Sequence, residues 1–341
     1  MKFLSIVMVS FFLFSCARKE HRVQVSQQNK LLIYATNNCL CEDDWQKQLQ
    51  QYAIDHNFVL DFRFFSSGSQ MLDYYLNERD SLEIVDILLG LDNTNLSDIQ
   101  SANILRSYKP FSYSALHKSI LIDKNNHFLP LAYSYLAFLY DSNELVNPPV
   151  TFGEMQDGIW KKKIIILDPT TSGLGRSMLY WSLAAFGENG YGHFWRSIKE
   201  NVFAICNNFD EAYSMFLAHE APLVIAWSTT PVYHQRIKGS DKIKAIIPRE
   251  GGYMYIQGMG ICCDSPNPEL AERLIDFLVS RDFQVHIPFN KWMYPANTQV
   301  KLPPEFESAV QPIKDLTEEL TPKIIQRRHK HWLERWLQIM H

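Results

Sequence analysis

The sequence has no long basic run and little net charge. Its 37 Asp and Glu residues slightly outnumber its 33 Lys and Arg residues, which leaves a formal net charge of -4. Proteins that bind nucleic acid neutralise phosphates with clustered positive charge, and this chain has no such cluster. It also lacks G-x-S-x-G and H-E-x-x-H patterns, which mark two large groups of hydrolases. Nucleic-acid binding and hydrolysis at such sites are therefore not expected.

Cysteine is scarce, and its spacing suits neither metal sites nor disulfides. The sequence contains six cysteines and no pair of C-x-x-C motifs. Apart from Cys16 they are Cys39, Cys41, Cys206, Cys262 and Cys263. An odd number cannot pair completely, and the close spacing within the first and last pairs would strain a local bridge. We therefore expect buried thiols, with no metal site and no bound cofactor.

The N-terminus carries an export signal. After Lys2, the apolar stretch Phe3–Phe14 is too short to span a bilayer. It ends in Leu-Phe-Ser-Cys, which resembles the lipobox of lipoproteins. We predict a lipoprotein signal peptide over residues 1–16, lipid attachment at Cys16 and a polar tether over residues 17–29. An ordinary signal peptide with a chance cysteine is the alternative, and both interpretations predict an exported protein.

The first part of the folded chain alternates strands and helices. Apolar runs and amphipathic spacing predict strands at 30–34, 59–65 and 84–89, with helices over 43–53 and 69–79. This β-α-β-α-β order predicts a mainly parallel sheet with helices on both faces, and ligands bind beyond the carboxyl ends of such strands. We expect Gly90 and Asp92 to lie there.

A second set of alternating elements follows. The apolar run 129–140 is interpreted as a connection between two lobes, and 341 residues are enough for two cores. The later elements are predicted as a strand at 163–167, a loop at 168–175, helices at 176–186 and 210–219, a strand at 223–227, an extended crossing at 252–262 and a helix at 268–280.

Hydroxyls, glycines and aromatic rings concentrate at predicted strand ends and loops. The loop 168–175 lies between a strand and a helix, where backbone N–H groups can turn toward an anion. A simple helix cap is the alternative. The aromatic residues at such positions are Trp45, Tyr133, Tyr135, Trp227, Tyr233, Trp292 and Tyr294. For any one of them, core packing is the alternative.

Three sequence blocks resemble the periplasmic thiamine-binding proteins in order and spacing. They are Val85-Asp-Ile-Leu-Leu-Gly-Leu-Asp-Asn93, Trp227-Ser-Thr-Thr-Pro-Val-Tyr-His234 and Phe283-Gln-Val-His-Ile-Pro-Phe-Asn-Lys-Trp-Met-Tyr-Pro295. The likeness runs from about Leu31 to the Trp332–Trp336 tail.

The resemblance implies a two-lobed α/β fold of the type II periplasmic-binding class. Each lobe is then a mainly parallel sheet flanked by helices, with the ligand in the cleft between the lobes. The implied division gives residues 30–130 plus about 255–341 to lobe I and about 131–254 to lobe II. Hinge strands are expected near 131–140 and 252–262.

The resemblance also implies a function. The chain would be the substrate-binding subunit of an ABC importer that captures thiamine, or thiamine mono- or diphosphate, and delivers it to a permease driven by an ATPase subunit. It would be a monomer without enzymatic activity. It would contact the membrane only through the lipid anchor, facing the periplasm or the cell exterior.

The ligand-binding residues are carried over from the same resemblance. Thiamine has a cationic thiazolium ring and a flat aminopyrimidine, which both suit aromatic faces. The implied aromatic lining is Phe209, Trp227, Tyr233 and Trp292, with Trp45 and Tyr135 as further rings. Asp92, beside Gly90, would bind the organic part of the ligand, and its alternative role is a helix-capping or turn aspartate. Thr171, Ser172, Gly173 and Gly175 would hold a phosphate. Thr170 stands where the family has an arginine, and Arg176 follows the loop.

Two other functions remain open from the sequence. A thiaminase-like enzyme of the same fold would use Cys39 or Cys41 as the nucleophile, helped by Glu42, Asp43 or Asp92. A ferric-ion or polyamine binder would use Tyr133 and Tyr135 instead.

Overall fold

The computed structural model describes residues 29–37, 43–78 and 83–341. The predicted signal peptide with Cys16 lies outside these residues, as do Cys39 and Cys41. Within the described ranges, no helix is both long and apolar enough to cross a membrane.

Strands and helices alternate through most of the described chain. The strands are β1 (Lys30–Thr36), β2 (Val59–Phe65), β3 (Ile87–Asp92), β4 (Leu105–Arg106), β5 (Leu129–Asp141), β6 (Ile164–Leu167), β7 (Val202–Cys206), β8 (Leu223–Trp227), β9 (Ile243–Ile246), β10 (Met254–Cys262) and β11 (Tyr294–Pro295). The helices are α1 (Asp43–Asp55), α2 (Gly68–Glu78), α3 (Leu96–Ala102), α4 (Gly173–Ile198), α5 (Phe209–Leu217), α6 (Thr230–Lys238), α7 (Pro268–Val279), α8 (Arg281–Gln284), α9 (Ile287–Asn290) and α10 (Pro322–Met340).

Two groups of parallel strands are joined by two long antiparallel strands. In the first group, called lobe I, β1 pairs in parallel with β2 and β3. In the second, called lobe II, β6 pairs in parallel with β7 and β8. Between them, β10 pairs antiparallel with β3 and β5, and β5 pairs antiparallel with β8 and β9. The predicted arrangement of two α/β lobes is therefore present, while the exact residue boundaries of the lobes stay a prediction.

Strand β5 is apolar along nearly its whole length because both lobes cover it. Its first half pairs with β10, and its second half pairs with β8 and β9. A strand buried on both faces reads as a continuous apolar run rather than an alternating one. Its buried hydroxyl, on Ser134, lies 3.0 Å from the Thr229 hydroxyl at the start of lobe II helix α6.

The predicted strand at 84–89 is displaced: β3 spans Ile87–Asp92. Gly90 and Asp92 therefore end the strand instead of following it. The reason is a bulge, since the ladder passes from Leu89 opposite Met259 to Leu91 opposite Gly258 and skips Gly90. Gly90 has a φ of 97°, a conformation that glycine adopts without strain.

Helix α4 is longer than the predicted 176–186. It runs over Gly173–Ile198 and bends at Gly187, whose φ is 67°. The chain resumes its helix beyond the bend because large buried rings follow. One of them, on Trp195, donates a 2.9 Å hydrogen bond from Nε1 to Ser182 Oγ before the bend.

The C-terminal helix α10 contacts both lobes. In lobe II, the Glu188 carboxylate accepts hydrogen bonds from Arg328 and from the Trp332 indole at 2.8 Å. In lobe I, Gln326 donates to Ser101 Oγ of α3 at 2.6 Å.

The described thiols follow the expectation of burial in two of three cases. Cys206 and Cys262 are buried, and burial raises the pKa of Cys206 to about 11. Cys263 is exposed, so its predicted burial is wrong. It directly follows the end of β10, where the chain turns out of the core.

We expect Gly90→Ala to lower the free energy of unfolding by about 1–2 kcal/mol, because a Cβ is strained at this positive φ. Urea unfolding followed by circular dichroism measures the loss. Gly158→Ala is the control, because a Cβ there meets nothing within 4 Å; we expect a change within about 0.5 kcal/mol. Equal losses in the two variants would contradict the bulge argument.

Candidate functional site

Strand ends and helix starts of the two lobes meet at one cleft. Asp92 ends β3 of lobe I, and Trp227 ends β8 of lobe II. Gly173 begins α4 just after the loop that follows β6. Tyr255, on the crossing strand β10, lies between the two lobes. Because β3 and β8 both end toward this cleft, the sheet brings a carboxylate and an aromatic ring together.

Asp92 is a buried carboxylate with a capping role. Its Oδ1 accepts a 2.8 Å hydrogen bond from the Thr94 amide, and its own amide donates to Asn95 Oδ1 at 3.1 Å. The capping alternative considered for Asp92 is thus what the structure shows for Oδ1. Burial raises the pKa of the carboxyl, whereas hydrogen bonds from Thr94, the charge of Arg176 and a hydrogen bond from Tyr255 lower it.

Asn93 fixes the position of Asp92. Its side-chain Nδ2 donates to the Met254 carbonyl at 3.1 Å, and its Oδ1 accepts from the Ile256 amide at 3.0 Å. One amide side chain therefore replaces a pair of strand hydrogen bonds along β10. Sequence reasoning missed this residue, because nothing distinguishes a buried bridging asparagine from a turn asparagine.

The second oxygen of Asp92 reaches across to lobe II. A Cβ built on Gly173 would lie 2.3 Å from Asp92 Oδ2. Only glycine permits this approach, so the end of β3 in lobe I contacts the start of α4 in lobe II. Gly175 is required for a different reason: a Cβ there would lie 2.7 Å from the carbonyl oxygens of Leu167 and Asp168.

The loop before α4 satisfies many of its own hydrogen bonds. The Thr170 amide donates to Asp168 Oδ1 at 2.7 Å, and the Ser172 amide donates to the Asp168 carbonyl at 3.0 Å. Ser172 Oγ caps the helix by accepting from the Gly175 amide at 3.3 Å. Thr171 is exposed, and its hydroxyl donates to the Asn207 carbonyl at 2.9 Å. The helix-cap alternative considered for this loop is therefore present in the structure.

Arg176 is buried at the lobe boundary. Its Nε donates to the Pro169 carbonyl at 3.5 Å. The guanidinium lines a cavity of about 490 Å³ together with Asp98 of α3 and His329 of α10. Burial raises the pKa of Asp98, which the charges of Arg176 and His329 lower. Burial also lowers the pKa of His329, and the charge of Arg176 lowers it further.

One group of rings surrounds the end of β8. The Trp227 ring lies 4.6 Å from that of Phe209 and 5.8 Å from that of Tyr255, measured between centroids. Tyr213 stacks on Phe209 at 5.1 Å. Among the residues that the structure describes, the buried Nε1 of Trp227 finds no hydrogen-bond acceptor. The structure thus brings the predicted ligand residues Phe209 and Trp227 together, and the Trp227 Nε1 donor beside them is not hydrogen-bonded.

A second group of rings lies on α6 and the segment before β11. The Tyr233 and Trp292 rings meet edge to face at 5.3 Å, and Phe289 lies 5.9 Å from Trp292. Trp292 has a φ of 55°, which is unusual for a bulky residue and is found where the surrounding structure holds it.

His234 links the two ring groups. It is hydrogen-bonded to the Tyr213 hydroxyl, and its ring lies 5.5 Å from that of Tyr233. Sequence reasoning missed Tyr213, Tyr255, His234 and Phe289. A signal existed for Tyr213, which follows Phe209 by four residues and so shares its face of α5.

Two predicted ligand residues have other partners here. The Trp45 ring is 1% exposed and packs 4.9 Å from Phe283 in the core of lobe I. The Tyr135 hydroxyl donates to Asp315 Oδ2 at 3.1 Å. The structure does not place either ring against Trp227, and their contact with a ligand stays a prediction.

Within the described ranges, no group of three or more His, Cys, Asp or Glu side chains is placed to hold a metal ion. The ring groups and Asp92 suit instead a flat organic cation, since aromatic faces and a carboxylate both attract positive charge.

Two α/β lobes joined by crossing strands around such a cleft define a two-lobed binding protein. The chain belongs to the family described as bacterial extracellular solute-binding proteins, whose model matches residues 83–314. An exported location is thereby supported.

Curated relatives narrow the comparison. A thiamine-binding periplasmic protein of Escherichia coli is 33% identical over 74% of this chain and 75% of its own length. Its counterpart in Salmonella typhimurium is 32% identical over 74% and 75%. A solved periplasmic thiamin-binding protein superposes with a TM-score of 0.83 at 27% identity, covering 93% of this chain and 98% of the other. The resemblance identified from the sequence and the predicted type II fold are both confirmed.

We expect Asp92→Asn to stabilise the ligand-free protein at neutral pH. Burial raises the pKa of this carboxyl in the folded protein above its ordinary 3.8. As pH rises, the carboxyl therefore ionises first in the unfolded chain, and this lowers the free energy of unfolding of the unmodified protein. The advantage of asparagine is therefore absent near about pH 3. The gain in free energy of unfolding from asparagine grows above about pH 4 and levels off once the carboxyl of the folded unmodified protein is also ionised. Urea unfolding across this range measures it.

The control for this variant is Asp123→Asn. Asp123 is buried and accepts hydrogen bonds from the amides of Asn125, His127 and Phe128. Losing acceptor capacity there is expected to cost about 1–3 kcal/mol. If Asp92→Asn destabilises the protein throughout the pH range, burial of the Asp92 charge is not a cost to this fold.

Proposed function

We propose that this chain is the substrate-binding protein of an ABC importer and that its ligand is thiamine. The observation that carries the proposal is the buried Asp92 carboxylate, hydrogen-bonded by Tyr255 whose ring lies against Trp227. The names of the relatives at 32–33% identity support the same ligand.

The chemistry of the ligand fits this arrangement. A thiazolium ring carries a permanent charge, and burying a charge is costly unless an opposite charge or aromatic faces compensate. Asp92 supplies the opposite charge, and the rings around Trp227 supply the faces. The unused Nε1 donor of Trp227 offers a hydrogen bond to a pyrimidine nitrogen or to the hydroxyethyl oxygen of thiamine.

The mechanism is a shift of population from an open to a closed form. A ligand that contacts Asp92 in lobe I and Trp227 in lobe II favours the form in which both contacts exist. The hinge lies in the predicted crossing segments near 131–140 and 252–262, which overlap β5 and β10. The closed form is the one that the permease and its ATPase subunit recognise.

The remaining features follow from this role. The protein is anchored by a lipid at Cys16 and works as a monomer on the periplasmic or outer face of the membrane, with residues 17–29 as its tether. It has no catalytic activity. Phe209, Tyr233 and Trp292 complete the lining, with Gly90, Trp45 and Tyr135 behind it.

Isothermal titration of the ligand-free protein with thiamine tests the proposal. We expect one-to-one binding, and mass spectrometry of the recovered ligand should find it chemically unchanged. Absence of binding would refute the thiamine proposal. Cleaved thiamine after incubation with an added nucleophile would show an enzyme instead.

Tyr233→Ala and Trp292→Ala test the second ring group. Loss of a ring that faces a cation should weaken binding by about 1–2 kcal/mol, or roughly five- to thirty-fold in Kd. Phe111→Ala is the control, because that ring is 92% exposed and should not affect the Kd. Unchanged affinity in both ring variants would remove this group from the site.

A further inference from the structure

The buried imidazole of His234 joins two helices of lobe II. His234 lies on α6 and is 6% exposed. Its Nε2 is hydrogen-bonded to the Tyr213 hydroxyl of α5. Among the residues that the structure describes, no other hydrogen bond links α5 to α6. This contact is therefore the polar link between the two helices.

Each of these helices carries part of one ring group of the cleft. On α5, Tyr213 stacks on Phe209 at 5.1 Å, in the group that surrounds the end of β8. On α6, Tyr233 precedes His234, and the two rings meet edge to face at 5.5 Å. Tyr233 in turn meets Trp292 of the second group at 5.3 Å. A change at His234 therefore reaches both ring groups.

The surroundings of His234 suit a neutral hydrogen-bond acceptor. Burial raises the pKa of Tyr213, so its hydroxyl keeps the proton that it donates. Burial lowers the pKa of His234 below its ordinary 6.5, and the charge of Lys238 lowers it further. A neutral imidazole with its proton on Nδ1 accepts a hydrogen bond at Nε2. At neutral pH the pair is therefore complete without a charge.

His234 also lines a cavity of about 240 Å³, into which charged groups project from each neighbouring segment. These groups are Lys238 of α6, Asp141 and Glu144 at the end of β5, His219 after α5 and Lys242 before β9. Asp141 opposes the effect of Lys238 on the pKa of His234, and Glu144 pairs with His219 at 2.9 Å. Because two lysines face two carboxylates, burial remains the main influence, and it disfavours a charge on His234.

Protonation of His234 would act against ligand binding in two ways. A protonated imidazole donates from both nitrogens, so the Tyr213 hydroxyl has to turn round and the buried pair becomes charged. A cationic ligand held by the ring groups also repels the new charge.

We infer that His234 is a positioning residue that holds the two ring groups together while it is neutral, and that its protonation weakens the capture of thiamine. The inference rests on the proposed function and adds a pH control to the same site. The affinity is complete at neutral pH and falls as the pH drops through the lowered pKa of His234. Since linkage is reciprocal, bound thiamine makes His234 harder to protonate.

Thiamine titrations at about pH 7.5 and about pH 5 give the first test, because His234 changes its charge between them. We expect the Kd of the unmodified protein to rise about fivefold or more at the lower pH, and the rise to be less than about half as large in His234→Gln. Titration of Asp92 is common to both proteins, so the difference between them reports on His234.

His219→Asn is the matched control for the pH comparison. His219 lines the same cavity but pairs with Glu144, and asparagine tolerates its φ of 59°. This variant should keep the pH dependence of the unmodified protein. Equal pH dependence in the unmodified protein and His234→Gln, or an equal reduction in His219→Asn, would overturn the inference.

The second test separates positioning from charge at neutral pH. His234→Ala removes the partner of Tyr213, and we expect thiamine to bind about threefold more weakly or worse. His234→Gln should recover most of this loss, because its side-chain amide can accept from the hydroxyl. Thermal melting of each variant establishes that it is folded. Equal losses in the two variants would contradict the positioning role.

Histidine titration of the unmodified protein by NMR gives a further check, with the His234 signal identified by its absence in His234→Gln. We expect the pKa of His234 to be lower with thiamine bound than without it. An unchanged pKa would overturn the inference while leaving the proposed function intact. Absence of thiamine binding at neutral pH would instead count against the proposed function itself.

Discussion

The hydrogen-bonded ladder between β5 and β10 is the interaction on which the site depends. In this ladder Gln257 of β10 lies opposite Ala132 of β5 and, on its other side, opposite Asp92 of β3. Farther along β5, Leu136 lies opposite Trp227. A shift of one residue would turn every side chain to the other face of the sheet. The register of these strands therefore places the Asp92 carboxylate of lobe I and the Trp227 ring of lobe II on either side of Tyr255.

Asp92 shows how stability and binding oppose each other in this cleft. A buried carboxylate raises the free energy of the folded, ligand-free protein, and its partners Thr94, Tyr255 and Arg176 offset that cost only in part. Under the proposed function, a cationic ligand offsets the remaining cost of the buried charge, and part of its affinity comes from this relief. Natural binding sites commonly retain such locally costly groups.

Much of this architecture was predictable from local patterns, and the failures have physical causes. Apolar runs predicted β6 and β8 closely, because buried strands of an α/β fold are apolar throughout. The run that forms β5 was interpreted as a connection between lobes, and the family resemblance implied a hinge strand there. The end of β3 was misplaced because the bulge at Gly90 depends on its distant partner β10, which no local pattern encodes. Helix α4 was cut short because packing of Trp195, not helix propensity, carries the chain beyond Gly187.

The candidate site was predictable in its residue types but not in its contacts. Motif blocks pointed to Asp92, Trp227, Tyr233 and Trp292, yet the approach of Asp92 to Gly173 joins residues 81 positions apart. That Trp45 packs on Phe283 also depends on α1 and α8 meeting in the core. Long-range contacts of this kind depend on the whole fold, and they produce no periodic pattern in the sequence from which they could be predicted.

The contacts of α10 join the C-terminal helix to both lobes. This helix is held to α4 by a carboxylate that binds both Arg328 and Trp332, but it meets α3 through the side chain of Gln326. His329 of α10 also lines the cavity that Asp98 of α3 and Arg176 of α4 share. Helix α10, Pro322–Met340, therefore joins a helix of lobe I to a helix of lobe II, so the two lobes have a connection in addition to the crossing strands β5 and β10.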